Sequence, residues 1–165
     1  PPSPALRLPS SPILRELNDP AVLDTLATDH LTLSLQIRLA ARALPWDEIG
    51  ALLLRLAEAG DLHSDALSAA CQELTGARAA LRRDEAAGLA ALDERFGASP
   101  DRYVRRLGLA ALVGLARSAR GWDAERLARL NAYRADPAAL VAAAAQFTLP
   151  AEELTADVED DSWQH

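Results

Sequence analysis

Along residues 101–119 the apolar and small positions Val104, Leu107, Gly108, Ala111, Leu112 and Leu115 recur three and four apart, with Arg102, Arg105 and Arg106 between them. That spacing marks one face of an α-helix. The same rhythm, broken by polar residues and prolines, predicts helices over about residues 12–18, 20–28, 30–44, 47–59, 64–75, 77–96, 100–119, 123–134 and 137–147. Ser11-Pro12, Asp19-Pro20, Ser99-Pro100 and Asp136-Pro137 each put a capping residue before a proline, whose missing N–H costs nothing in a first helical turn. Ser64 before Asp65 is expected to cap another helix. Short connections between such helices favour antiparallel neighbours, arranged as a bundle or as a stack of hairpins.

Composition sharpens the fold class to all-α. Ala and Leu number 36 and 30 of 165 residues, while Val, Ile and Thr number 5, 3 and 6. Ala and Leu lose little side-chain freedom in a helix, and a chain this poor in β-branched residues is not all-β. The single cysteine, Cys71, has no partner for an internal disulfide, and no Cys/His cluster has zinc spacing. No apolar run reaches the roughly 18 residues of a membrane span. The first residues lack a basic region followed by an apolar stretch, and a cytoplasmic setting is the expectation. Three regions are predicted: a Pro/Ser-rich linker over 1–12, a helical repeat domain over 13–149 and an acidic C-terminal tail over 150–165.

Internal similarity bears on how the helices are arranged. Trp46-Asp47 and Trp122-Asp123 lie 76 residues apart, with Leu54 and Leu130 at matching offsets; Ala66-Leu67-Ser68-Ala69-Ala70 and Ala139-Leu140-Val141-Ala142-Ala143 match at 73. Two hairpins in that span give units of roughly 37 residues, near the length of helical-hairpin repeats. The segment from Asp101 through Val104-Arg105-Arg106 to Leu112 resembles the first helix of a HEAT repeat. The resemblance implies stacked antiparallel hairpins, a HEAT-like α-solenoid, serving as a scaffold that binds protein partners on a concave face. The Arg or Lys that the family places late in each second helix is not consistently present, and an irregular helical bundle is the alternative. No family active site carries over to this chain.

The net charge of −7 is unevenly distributed. Residues 1–75 carry 5 Arg and 10 acids, residues 76–134 carry 12 Arg and 7 acids, and residues 135–165 carry 7 acids and no Arg; there is no Lys anywhere. On a helical wheel Arg102, Arg105, Arg106, Arg117 and Arg120 share an arc of roughly 120° that also contains Leu109 and Val113. Arg126, Arg129 and Tyr133 line up on the next helix. These residues are candidates for a surface that binds an acidic protein partner, with phosphates of a nucleic acid as the alternative, since the guanidinium fork suits both. Against this stands the plainer expectation of a solvated face whose arginine stems cover apolar surface. In the tail, Asp160, Asp161 and Trp163 have the composition of a docking peptide, bound to another protein or folded back over the arginine surface. The tail is otherwise a solubilising end.

Catalysis has little footing. His63-Ser64-Asp65 contains triad residue types, yet consecutive residues at a helix start do not bring base and nucleophile into reach, and capping explains them better. Asp61, His63 and Asp65 lack a second ligand set for a metal. Cys71, in an Ala-rich run, is expected to be a buried small hydrophobe. Without Lys there is no P-loop. The expected function is therefore a non-enzymatic protein–protein interaction or scaffold module with no cofactor; the alternative is a nucleic-acid-binding helical protein regulated by its acidic tail.

Overall fold

The structure, a computed structural model, describes residues 32–76, 83–117 and 121–150. The predicted helices over 12–18 and 20–28, the linker over 1–12, and the tail residues Asp160, Asp161 and Trp163 lie outside the described residues. So does Arg120. Among the described residues there are seven helices and no strand: α1 (Leu33–Ala43), α2 (Trp46–Glu58), α3 (Ser64–Thr75), α4 (Arg83–Gly97), α5 (Arg102–Leu115), α6 (Ala124–Arg134) and α7 (Ala139–Gln146). The all-α expectation is met. None of these helices is long and apolar enough to cross a membrane.

Side-chain caps set several of the helix starts. Thr32 Oγ1 accepts from the Leu35 N–H at 3.3 Å, Asp101 from Tyr103 at 2.8 Å and Asp123 from Arg126 at 2.8 Å. Each satisfies a donor that the first turn leaves without an intrahelical acceptor. Ser99 and Asp136, expected as caps, each stand two residues before the residue that holds the cap position, Asp101 and Ala138. Ser99 Oγ accepts from the Asp101 N–H and Asp136 Oδ1 from the Ala138 N–H, so both are turns that lead into a helix rather than its caps. Ser64 likewise is not the cap of α3. His63 holds that position with extended backbone, and Ser64 is the first helical residue, with φ of 48° in the left-handed region.

Helix α5 organises the packing. It contacts α2, α3, α4, α6 and α7, most extensively α4 and then α3, and every residue from Leu107 to Leu115 is buried. Two cores meet on it. Val104, Leu107, Ala110, Ala111 and Leu115 join a cluster with Ile37 of α1, Leu53 and Leu56 of α2, Leu74 of α3, and Leu89 and Phe96 of α4. Leu109, Leu112 and Val113 face the other way, against Leu130 and Tyr133 of α6 and Val141 and Ala145 of α7. Besides its sequence neighbours α4 and α6, α5 packs against α3 and α7, two helices away in either direction, just as α1 packs on α3 and α2 on α4. The two Trp-Asp pairs also sit differently: Trp46 is the first residue of α2, whereas Trp122 precedes the Asp123 cap of α6.

Glycines permit the closest approaches. A Cβ on Gly108 of α5 would lie 2.8 Å from the Gly97 nitrogen and 2.6 Å from the Tyr133 hydroxyl, so α4 and α5 touch backbone to backbone where the phenol enters.

Candidate functional site

The arginine surface expected from the wheel is distributed among several tasks. Leu109 and Val113 are not on it: they are 1% and 8% exposed and belong to the second core. The reason is axial. Arg102, Arg105 and Arg106 occupy the first turns of α5, whereas Leu109 and Val113 come further along, where α6 and α7 cover the same angular sector. A wheel discards that distance along the axis.

Arg105 and Arg129 are engaged by carboxylates. The Arg105 guanidinium donates from Nε and Nη2 to the two carboxylate oxygens of Asp136, at 2.8 and 3.1 Å, and from Nη1 to the Ser99 and Pro100 carbonyls. It ties the α4–α5 turn to the α6–α7 turn. Arg129 of α6 grips Asp93 of α4 through both oxygens, with Nη2 at 2.9 Å from Oδ1 and Nε on Oδ2. Tyr133 donates its hydroxyl to Asp93 Oδ1 at 2.7 Å. Asp93 is only 3% exposed, and burial drives the Tyr133 phenol well above its ordinary pKa, with the adjacent Asp93 charge adding to the effect. A buried carboxylate is tolerable only with such partners. Arg126 pairs with Asp123 at 2.9 Å and donates to the Gly121 carbonyl. Arg102 lies over the Tyr103 ring, 5.0 Å from its centroid, and hydrogen-bonds its hydroxyl at 3.1 Å.

Arg106 and Arg117 line a concave feature instead. Between α3 and α5 runs an open groove of about 660 Å³. One wall is the α3 stripe Ser64, Leu67, Ser68, Cys71, Gln72 and Thr75, flanked by His63 and Gly76; Tyr103, Arg106 and Arg117 stand opposite, and Leu140 of α7 also contributes. Sequence reasoning placed Arg106 on a surface but missed this pairing of helices. The available signal was the small or polar stripe Ser64, Ser68, Gln72 and Thr75, recurring three and four apart on a helix whose other face is apolar.

The groove is positively charged around an apolar floor. No carboxylate stands among its described lining residues, and neither Arg106 nor Arg117 forms an ion pair with any described residue. Leu67 and Cys71 are 7% exposed and form the base. Burial pushes the Cys71 thiol up, opposed by the positive charge of Arg106, so the thiol stays protonated and weakly nucleophilic. His63 Nδ1 lies 3.3 Å from Ser64 Oγ, and no hydrogen bond joins the ring to a carboxylate among the described residues. Among the described residues no three His, Cys, Asp or Glu side chains gather as metal ligands.

Comparison with known proteins finds no match to a protein-family model, to a curated protein or to a solved structure.

Proposed function

We propose that the chain is a non-enzymatic interaction module whose α3–α5 groove receives an acidic, apolar-anchored segment of a protein partner. The observation that carries this reading is the sign of the groove. On a chain of net charge −7, its described lining contains Arg106 and Arg117 and no carboxylate. Guanidinium groups at a partly desolvated rim hydrogen-bond carboxylates strongly, and an apolar floor takes a large side chain. Arg106 lies in α5 and Arg117 two residues past its end, eleven residues apart, or about 16 Å at the rise of a helix. That length matches three turns of a partner helix or five extended residues.

The reading keeps the scaffold role expected from sequence and moves its contact from the outer arginines to Arg106, Arg117 and the α3 stripe. It does not require a HEAT-like stack, because two adjacent helices make the groove. Nucleic acid draws less support. Arg105 and Arg129 direct their donors to Asp136 and Asp93, which leaves fewer fixed charges for phosphate contacts and counterion release.

The test is selection of a phage-displayed library of twelve-residue peptides on the full chain. Enriched sequences should combine several Asp or Glu with one or two large apolar residues. The leading peptide should lose at least tenfold in affinity to each of Arg106→Glu and Arg117→Glu, both checked for unchanged helical circular dichroism. Enrichment of basic or uncharged sequences, or indifference to both substitutions, overturns the proposal.

A further inference from the structure

We infer that the groove has a ligand within the chain itself: residues 151–165 fold back into the α3–α5 groove and hold it closed to partners until displaced. The inference rests on the proposed reading of the groove and names its regulation.

Charge supplies the first argument. Residues 151–165 contain six acids, Glu152, Glu153, Asp157, Glu159, Asp160 and Asp161, and no Lys or Arg. The groove offers the opposite sign, with Arg106 and Arg117 unpaired with any described carboxylate. Shape supplies the second. Leu154, Val158 and Trp163 are large apolar residues in an otherwise polar stretch, and the groove presents apolar surface from the floor residues Leu67 and Cys71 and from the exposed Leu140.

Reach supplies the third argument. Leu140, in the first turn of α7, lines the groove, and the last described residue, Pro150, follows ten residues later. Eight residues of α7 advance about 12 Å, so Pro150 lies within roughly 30 Å of Leu140 even if the following residues are fully extended. Fifteen more residues span up to about 50 Å, enough to return along the groove. A tethered segment also faces its site at an effective concentration in the millimolar range. Modest intrinsic affinity then suffices for high occupancy, while a partner of higher affinity still displaces it.

The experiment compares amide resonances of two full-length chains, the wild type and the variant Asp157→Asn, Asp160→Asn, Asp161→Asn, Trp163→Ala. If the segment occupies the groove, the amides of Ser68, Gln72 and Thr75 and the Arg106 side chain shift between the two. A synthetic peptide of residues 151–165, added to the variant at millimolar concentration, should restore the wild-type positions, and 0.5 M NaCl should move the wild type toward the variant. Identical spectra at those positions, or shifts confined to another face, overturn the inference. If the spectra are identical while a phage-selected acidic peptide still binds in an Arg106-dependent way, the groove reading stands and self-occupancy alone fails. If neither ligand perturbs the α3 stripe, both fail.

Discussion

The hydroxyl of Tyr133 reaches Asp93 Oδ1 at 2.7 Å across two helices, beside Gly97 and Gly108, which leave room for it. With Arg129 on the same carboxylate, this contact fastens α6 to α4 over the shoulder of α5. Removing only the hydroxyl should therefore be mild and removing the cation severe. Tyr133→Phe keeps the ring in the second core and is expected to cost about 1–2 kcal/mol, whereas Arg129→Ala leaves a buried carboxylate half-satisfied and is expected to cost about 3 kcal/mol or more. Urea unfolding of the two variants measures the difference.

Gly108 and Gly50 should respond differently to alanine although both are helical. A Cβ at position 108 meets the Gly97 backbone nitrogen at 2.8 Å, which moves only if α4 moves. At position 50 the obstacle is Leu92 Cδ2 at 2.5 Å, the end of a side chain that can change rotamer. Gly108→Ala should destabilise by about 1–3 kcal/mol, an overpacking cost larger than the helix-propensity gain, while Gly50→Ala stays nearer neutral. Thermal midpoints of the two variants decide it.

Acid should loosen the turn between α6 and α7. The hydrogen bonds from Arg105 hold the Asp136 carboxyl below its ordinary value, helped by the Ala138 N–H. A carboxyl depressed in the folded state contributes stability that is complete above its unfolded pKa and is lost as pH falls through the folded value. Unfolding free energies in urea between pH 6 and 2 should fall less steeply for Asp136→Asn than for the wild type.

The alkaline limb has the opposite sign. Burial raises the Tyr133 phenol, so its contribution is complete below the unfolded tyrosine pKa, about 10, and is lost as pH rises toward the higher folded value. Tyr133→Phe should flatten the decline of stability between pH 9.5 and 11.5. Tyrosinate absorbance in the native wild type should likewise show one phenol resisting ionisation.

Much of the fold could be read from periodicity. The helix over 64–75 has the bounds that its apolar spacing predicts, and α1, α5, α6 and α7 fall within the predicted spans, trimmed at their ends, while α2 begins one residue before its predicted start and α4 ends one residue past its predicted end. The trimming at Ser99-Pro100 and Asp136-Pro137 has a local cause: a side-chain oxygen that bonds an N–H two residues on resembles a cap in one dimension. The site was less legible. Arg129 and Tyr133 form one stripe in the sequence, but their partner Asp93 lies 36 residues before Arg129, and no spacing rule connects them. Leu109 and Val113 looked anomalous among arginines because the helices that cover them are found only in three dimensions.

That α5 serves both cores has a practical corollary for dissection of this chain. A fragment ending near Arg117 would strip α6 and α7 from Leu109, Leu112 and Val113 and turn a sealed seam into a wet, adhesive ridge. Proteolytic nicking between α5 and α6 should thus yield two pieces that stay associated, or that precipitate once parted, rather than two independently soluble halves.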